Sequence, residues 1–299
     1  MNDATAGVAF LGLGEMGLPM ARNLVKAGFE VVGYDLRADR ADGLAAAGGR
    51  RASSPADAAA TASTVVVMPF DGAQCREALF GENGALATLG AGGLVVVMAT
   101  IGQGAMRDIG ARVAERGFAV VDAPVTGGTH GAEGGSLTII AAGAADALDR
   151  AAPLLEAMSE VVYRVGAEPG AGQFVKLVNQ LLVGVHLAAT AEAMAMGAAA
   201  GVDLHQMYEV LCHGFGRSDV FVRRAKAVLD GDLRTGGSVA IFLKDLSLVM
   251  ETAHALGVPA FTAANALQFV QLGSALGHAG DDDASLIAAL MELASPRRA

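Results

Sequence analysis

Short apolar runs alternate with segments of helical spacing along the first half of the chain. The runs are rich in Val, Leu and Ala and are bounded by glycine or polar turns, which predicts buried strands. The segments between them repeat apolar residues at three- and four-residue steps, which predicts helices. This alternation is typical of a parallel sheet covered by helices. The predicted strands are Val8–Leu11, Glu30–Tyr34, Thr64–Met68, Leu94–Met98, Ala119–Asp122, Leu137–Ala142 and Val161–Val165.

A long apolar segment, Gly170–Gly201, follows the last predicted strand. Its interior is rich in Ala, Leu and Met, and glycines stand at both ends, which predicts one helix long enough to join two domains. We therefore expect an α/β domain over residues 1–168 and an all-α domain over residues 169–299. The helices predicted after the long one are Leu204–His213, Asp219–Leu229, Val239–Leu256, Thr262–Leu276 and Ser285–Leu293.

Composition and charge narrow the class of partner. The chain has 299 residues, 53% of them hydrophobic and 17% charged, which is enough to build a sizeable core. Its net charge of −10 argues against a nucleic-acid partner, because phosphate contacts need clustered Lys and Arg. A membrane span is not expected either, because His186 and Glu192 interrupt the long apolar helix. A small-molecule partner remains.

The cysteines and the N-terminus favour the cytoplasm. Cys75 and Cys212 lie far apart and in no metal-ligand spacing, which fits a reducing compartment without a disulfide framework. Met1–Ala6 is short and polar, so no signal peptide is readable. Near the other end, we expect the acidic run Asp281–Asp283 to be a solvated helix start.

A glycine fingerprint stands between the first predicted strand and a helical segment. Its first glycine permits a tight turn, its second lets backbone approach a pyrophosphate, and its third lets helix pack on strand. The second strand ends at Asp35, about 20 residues after the second glycine, where a carboxylate can accept ribose hydroxyls. An ordinary glycine turn with a helix-capping Asp leaves this spacing to chance. We therefore predict a Rossmann domain whose cofactor-binding loop is Gly12, Leu13, Gly14, Glu15, Met16 and Gly17.

Asp35 also favours NAD, because its carboxylate would repel the 2′-phosphate of NADP. Arg37 could hold such a phosphate if its side chain turned inward. The alternative is a solvated arginine that enters the next helix. NAD is thus the expected cofactor, and NADP ranks second.

Loops after the later strands supply further candidates, since ligands of open α/β sheets bind beyond the carboxyl ends of the strands. Met68 and Pro69 begin one such loop. Thr100 begins the next and could touch the nicotinamide ribose, although a plain helix-capping role is the alternative. A third loop offers a hydroxyl and two glycine N–H groups to a carboxylate, or forms a simple glycine turn. Its residues are Thr126, Gly127 and Gly128.

Lys176 lies on the long helix between apolar neighbours, with Asn179 one turn further along. A buried ammonium is costly unless it has partners or loses its proton. The placement therefore indicates either a catalytic lysine or a snorkelling side chain whose charge reaches water. Lys244 and Asp245 set another charge pair into a later apolar helix, for which an exposed ion pair is the alternative interpretation.

Four motifs together resemble the β-hydroxyacid dehydrogenase family in order and spacing. They are the glycine fingerprint, the Asp-Ala-Pro-Val-Thr-Gly-Gly loop, the Gly-x-Gly-x-x-x-Lys-x-x-Asn helix and the Lys-Asp-Leu helix. The resemblance covers nearly the whole chain and implies a Rossmann domain joined by a long helix to an all-α domain. It also implies an NAD(P)-dependent oxidoreductase that acts on the CH–OH group of a small monocarboxylic hydroxy acid. We expect a homodimer or homotetramer.

The resemblance implies a role for each matching residue. Lys176 is the implied acid/base, which takes the hydroxyl proton while hydride passes to nicotinamide, and no metal is needed. Thr126, Gly127 and Gly128 are implied to bind the substrate carboxylate. Substrate orientation is implied for Asn179 and Lys244. We expect Gln180, a further polar residue, to bind the substrate beside them, and Lys244 to contact the cofactor as well.

Two positions depart from the common family pattern. Thr126 stands where Ser is more frequent, which keeps the hydroxyl. Gln180 follows Asn179 where a second Asn or a His is usual, and the run up to His186 most resembles the branch that oxidises L-threonate to its 2-oxo acid. Enzymes acting on 3-hydroxyisobutyrate or tartronate semialdehyde are the alternatives within the family. A non-catalytic dinucleotide-binding protein is the alternative of another class, and an intact Lys176 argues against it.

Overall fold

The computed structural model describes residues 7–234 and 237–294. These residues form two compact units that divide between Lys176 and Leu177. The first unit is a sheet with helices packed on it, and the second is helical. The predicted fold class, an α/β Rossmann domain and an all-α domain that share one long helix, is therefore confirmed. The domain boundary predicted at residues 168 and 169 stays a prediction.

The first unit contains the strands of the structure. They are β1 (Val8–Leu11), β2 (Val31–Tyr34), β3 (Arg50–Arg51), β4 (Thr64–Val67), β5 (Leu94–Val97), β6 (Ala119–Asp122), β7 (Val125–Thr126), β8 (Leu137–Ala142) and β9 (Ser159–Gly166). The helices of this unit are α1 (Gly17–Lys26), α2 (Ala38–Ala45), α3 (Pro55–Ala59), α4 (Gly72–Phe80), α5 (Gln103–Ala114), α6 (Gly128–Gly134) and α7 (Ala145–Glu156), with a 3₁₀ turn at Ala85–Ala87.

The long helix begins in the first unit and continues into the second. It is α8 (Ala171–Ala200), and α9 (Leu204–His213), α10 (Asp219–Asp230), α11 (Val239–Ala255), α12 (Phe261–Gly273) and α13 (Ser285–Ala294) follow it. The helix predicted to run to Leu276 ends at Gly273, and a wider turn at Ser274–His278 follows. Gly277 has φ +101° in that turn, a conformation that favours glycine and interrupts the helix.

The strands lie in the order β3-β2-β1-β4-β5-β6-β8-β7, with β9 beside β8. All pairs from β3 to β6 are parallel. This part has the strand order of a Rossmann sheet, in which the chain reverses its winding between β1 and β4 and opens a crevice for ligands. The first apolar run of the sequence, β1, therefore flanks the crevice together with β4.

The end of the sheet differs from the all-parallel arrangement that the sequence predicted. β8 runs antiparallel to β6 and to β7, and β9 runs parallel to β8. A parallel crossover needs a long connection, usually with a helix that spans the sheet. Only β7 and the seven-residue α6 lie between β6 and β8, so the chain returns in the opposite direction.

Both faces of the sheet are covered, which explains the continuous apolar strands. Along β1, Val8 and Phe10 belong to one buried cluster, whereas Ala9 and Leu11 belong to another. Successive side chains of a strand point to opposite faces. A strand buried on both faces must be apolar at every position.

By length and composition alone, α8 could cross a membrane, and 39% of its most apolar window is buried in the structure. Its polar residues Gln173, Gln180 and Thr190 are also buried. The amides of Gln173 and Gln180 donate hydrogen bonds to carboxylates outside the helix. These are properties of a core helix in a globular protein.

The acidic run Asp281–Asp283 is solvated only in part: Asp281 is exposed, as the sequence predicted, but Asp283 is not. Asp283 is fully buried. The guanidinium of Arg224 in α10 donates to both of its carboxylate oxygens, from Nε at 3.2 Å and from Nη2 at 3.0 Å. The expectation failed because charge density along the sequence carries no sign of a bidentate partner on another helix.

Candidate active site

The packing of the protein requires two glycines of the fingerprint, and the third glycine lies beside open space. Gly12 has φ +96°, and a Cβ there would lie 2.6 Å from the carbonyl oxygen of Met68. A Cβ on Gly17 would collide with the carbonyl oxygen of Gly12. At Gly14 an added Cβ meets nothing within 4 Å. The protein's own packing does not require a glycine at position 14, so the open space fits close approach of a pyrophosphate.

The remaining loop residues have different surroundings. Leu13 is fully buried in the core, so only its backbone can face a ligand. Met16 is the N-cap residue of α1, which has no acidic residue in its first turn and no side-chain cap within the described chain. Such a helix start presents N–H groups to an anion. The exposed carboxylate of Glu15 forms an ion pair with Arg40 of α2.

Asp35 stands at the end of β2, directly beside this loop. Its Oδ2 accepts from the backbone N–H of Leu13 at 2.7 Å, and its Oδ1 accepts from that of Arg37 at 2.8 Å. The carboxylate is therefore held in one orientation next to the glycine turn, as a ribose-binding residue requires. Arg37 itself is exposed and pairs with Asp39 at 2.8 Å. Its partner matches the solvated interpretation of this arginine.

Three further predicted cofactor residues, Met68, Pro69 and Thr100, lie on the loops that follow β4 and β5. The backbone N–H of Met68 donates to the carbonyl of Leu11 at 2.7 Å, which places Met68 and Pro69 beside the end of β1. Thr100 follows β5 and is half-buried. The N-cap residue of α5 is Gly102. Thr100 therefore does not occupy the N-cap position that the alternative interpretation gave it.

A short strand fixes the predicted carboxylate loop. Thr126 ends β7 and pairs with Thr138 of β8. Gly127 and Gly128 follow with φ +131° and +65°. Because L side chains rarely adopt such angles, glycine is required at both positions. The sequence did not predict β7, since a two-residue strand gives no periodic signal.

A buried carboxylate holds the first turn of α8 against the ends of β5 and β6. Oδ2 of Asp122 accepts from the backbone N–H groups of Gly170 at 2.9 Å and of Gln173 at 3.1 Å. Its Oδ1 accepts from Nε2 of Gln173 at 2.9 Å. Burial raises the pKa of the Asp122 carboxyl, and hydrogen bonds from Gln173 and Gly170 offset part of that rise.

Gln173 extends this connection to the loop that carries Thr100. Its Oε1 accepts from the backbone N–H groups of Ile101 at 2.8 Å and Gly102 at 3.1 Å. Its Nε2 also donates to the carbonyl of Ala99 at 3.1 Å. A side chain that the sequence showed only as a polar position on a helix thus joins the helix to the loop before α5.

The two glycines before Lys176 allow this close approach. Gly170 has φ +101° at the entry to α8. A Cβ on Gly172 would lie 2.6 Å from the carbonyl oxygen of Ile140. Lys176 follows one turn later and is only 7% exposed. Burial of most of this residue is compatible with the catalytic interpretation, which stays a prediction.

In the second unit, a chain of hydrogen bonds joins residues of α8 and α11. Nδ2 of Asn179 donates to Oε1 of Gln180 at 3.0 Å, and Nε2 of Gln180 donates to Oδ2 of Asp245 at 2.7 Å. Nζ of Lys244 lies 2.6 Å from Oδ1 of Asp245. Side-chain exposure is 16% for Lys244 and 2% for Asp245, so the exposed ion pair offered as an alternative is wrong.

Sequence reasoning gave no role to Asp122 and interpreted Asp245 only as one half of a charge pair with Lys244. Both stand inside motifs that were recognised, the Asp-Ala-Pro loop and the Lys-Asp-Leu helix. A buried carboxylate in an apolar strand or helix is costly, and that cost was the available signal. Which partners would satisfy each carboxylate could not be predicted from local patterns.

Comparisons with known proteins identify the family of the chain. A family model described as the NAD binding domain of 6-phosphogluconate dehydrogenase matches residues 7–166. A second, described as NAD-binding of NADP-dependent 3-hydroxyisobutyrate dehydrogenase, matches residues 170–290. The chain is 41% identical over 280 residues to an L-threonate dehydrogenase of Cupriavidus necator, covering 94% of each chain. It is 40% identical over 259 residues to an NAD-dependent L-serine dehydrogenase of Pseudomonas aeruginosa, covering 83% of this chain and 85% of that one.

A solved structure agrees with these relatives. The crystal structure of a 3-hydroxyisobutyrate dehydrogenase from Salmonella typhimurium is 38% identical, has a TM-score of 0.88, and covers 95% of this chain and 99% of its own. Both the sequence families and the fold therefore agree with the resemblance that the motifs indicated. The chain belongs to the β-hydroxyacid dehydrogenase family, of the 3-hydroxyisobutyrate dehydrogenase type, and is an NAD-binding oxidoreductase.

Proposed function

We propose that this protein oxidises L-threonate at its C2 hydroxyl to the 2-oxo acid, with NAD as the oxidant. The observation that carries the proposal is the 41% identity over 94% of the chain to a protein named L-threonate dehydrogenase. The polar side chain of Asn179 supports it, because it offers a hydrogen bond that a branched aliphatic acid would leave unused.

Lys176 is the acid/base in this proposal. When bound, NAD supplies the hydride acceptor at its nicotinamide C4. Nζ of neutral Lys176 takes the proton of the C2 hydroxyl as the carbonyl forms, and returns it in the reverse reaction. To accept this proton, Nζ of Lys176 must be in its neutral form.

The other residues bind and orient the substrate and the cofactor. Thr126, Gly127 and Gly128 hold the single carboxylate through a hydroxyl and backbone N–H groups. Asn179, Gln180 and Lys244 orient the hydroxylated chain of the substrate. Cofactor contacts are assigned to the loop Gly12–Gly17, to Asp35 at the adenosine ribose, and to Met68, Pro69, Thr100 and Lys244. Arg37 stays the second choice, as a ligand for the 2′-phosphate of NADP.

Related substrates remain second candidates. Similarity to a solved 3-hydroxyisobutyrate dehydrogenase favours that acid, and tartronate semialdehyde reduction is a further alternative within the family. We place the enzyme in the cytoplasm as a homodimer or homotetramer. A small hydroxy acid, rather than nucleic acid or membrane, is its proposed partner.

The position of Asp35 predicts a preference for NAD. We expect kcat/KM with NAD to exceed that with NADP at least about tenfold, because the fixed carboxylate repels a 2′-phosphate. Steady-state kinetics with both cofactors measure this. Arg37→Ala is the control and should change kcat/KM for NAD less than about twofold, since its ion pair with Asp39 is exposed. A measured preference for NADP would contradict the assignment and favour Arg37 as a phosphate ligand.

The acid/base role predicts the behaviour of Lys176→Ala. Its kcat should fall by about 10²–10⁴-fold, because general acid/base catalysis contributes that much, while the Kd for NAD stays near the wild-type value. Rapid mixing and fluorescence titration give the two quantities. Lys226→Ala, which removes an exposed lysine paired with Asp230, is the matched control and should be active. Turnover of Lys176→Ala within about threefold of wild type would rule out the catalytic role.

The substrate proposal is tested by kcat/KM with NAD across L-threonate, 3-hydroxyisobutyrate, D-glycerate and L-serine. We expect L-threonate to lead by at least about tenfold, because acids without its hydroxyls leave buried polar groups unpaired. If 3-hydroxyisobutyrate or D-glycerate leads by that factor instead, the substrate assignment is wrong. The family, the cofactor and the role of Lys176 would be unaffected.

A further inference from the structure

The hydrogen bonds among Asn179, Gln180, Asp245 and Lys244 have a defined direction. We call these four residues the amide relay. Asp245 is buried and receives Nζ of Lys244 on one oxygen and Nε2 of Gln180 on the other. A carboxylate in an ion pair only accepts hydrogen bonds, and an ammonium only donates them. The Asp245 end of the relay therefore has one possible arrangement.

That arrangement determines the orientation of both amides. Gln180 must turn its NH₂ toward Asp245, so its carbonyl oxygen faces Asn179. Asn179 must then turn its own NH₂ toward Gln180. Its carbonyl oxygen, Oδ1, is left at the other end of the relay, opposite the bond to Gln180. Side-chain amides are otherwise free to flip, and here the network fixes the flip.

We infer that Asp245 is a positioning residue that makes Asn179 present a hydrogen-bond acceptor to the ligand. The inference rests on the proposed function, which places Asn179 against the substrate. A ligand hydroxyl donates to Oδ1 of Asn179, whereas an analogue without that donor leaves the oxygen unpaired. Asp245 thus sets a preference for hydroxylated acids without touching them. Neither the sequence motifs nor the names of the relatives assign it this role.

Substitution of Asp245 reverses the relay in a predictable way. In Asp245→Asn, the new carbonyl oxygen faces the ammonium of Lys244, so the new NH₂ faces Gln180. Gln180 then flips, donates to Asn179, and leaves the NH₂ of Asn179 toward the ligand. In the double variant Asp245→Asn/Gln180→Glu, the carboxylate at position 180 accepts from both neighbours. Asn179 returns to its native orientation, and the negative charge stays in the cluster.

The experiment measures binding rather than turnover. Isothermal titration with NADH bound gives the Kd of L-threonate and of its 3-deoxy and 4-deoxy analogues. In the wild type, at least one analogue should bind about tenfold more weakly than L-threonate, because the missing hydroxyl leaves Oδ1 of Asn179 without a donor. Asp245→Asn should reduce that ratio at least about fivefold, and the double variant should restore it to within about twofold of wild type.

A purely structural role for Asp245 would weaken all three ligands together and leave the ratio unchanged. That result, or a double variant that binds L-threonate without recovering the ratio, would overturn the inference. Thermal unfolding and NADH binding check that each variant is folded. If Asp245→Asn does not fold, the inference is tested on the wild type by the Kd of fluoro analogues of L-threonate. In these analogues fluorine replaces a hydroxyl and cannot donate a hydrogen bond. The fluoro analogues should bind as weakly as the deoxy acids. Fluoro analogues that bind tenfold more tightly than the deoxy acids would overturn the inference.

Failure of the proposed function would look different. The wild type would then form no NADH from L-threonate, or would favour another acid in kcat/KM, whatever the binding ratios show. If the wild type still binds a deoxy analogue more weakly than L-threonate, and Asp245→Asn reduces that difference, the relay is supported even in that case. A wild type that binds the deoxy acids as tightly as L-threonate contradicts the relay alone.

Discussion

Attachment of the first turn of α8 to the strand ends is the constraint on which the proposed chemistry depends. Asp122 and Gln173 are both fully buried, and together they bind backbone groups of Ala99, Ile101 and Gly170. Each of these groups would cost about 1–3 kcal/mol if it were buried without a partner. The helix start and the Thr100 loop are therefore held as one piece, and Lys176 follows one turn after Gln173.

Gln173 and Gln180 lie two turns apart on α8, with Lys176 between them on the same face of the helix. Each glutamine donates to a buried carboxylate, Asp122 in the first unit and Asp245 in the second. The lysine thus occupies a helix face on which both neighbouring amides are held in one orientation. Such fixed surroundings are what a proton-transferring group needs, since small displacements of a reacting group are costly in rate.

The sequence predicted what local patterns encode. Strands buried on both faces appear as short apolar runs, as β1 shows, and the glycine fingerprint predicted the turn between β1 and α1 because its steric demands are local. It did not predict the antiparallel return of β8, the pairing of Asp283 with Arg224, or the bond from Gln173 to Asp122. Each depends on residues distant in the chain, which periodicity and spacing do not report. The roles of the individual site residues stay predictions.

The rate of hydride transfer in Gln173→Met tests the positioning of Lys176 most directly. This change keeps the size and apolar stem of the side chain but removes its bonds to Asp122, Ala99, Ile101 and Gly102. Thr190→Val, which removes a partly buried hydrogen bond elsewhere on α8, is the control. In single-turnover mixing with NAD and the best hydroxy acid, we expect Gln173→Met to form NADH at least about tenfold more slowly than the control, with NAD still bound. A folded Gln173→Met protein that transfers hydride at the rate of the control would contradict it.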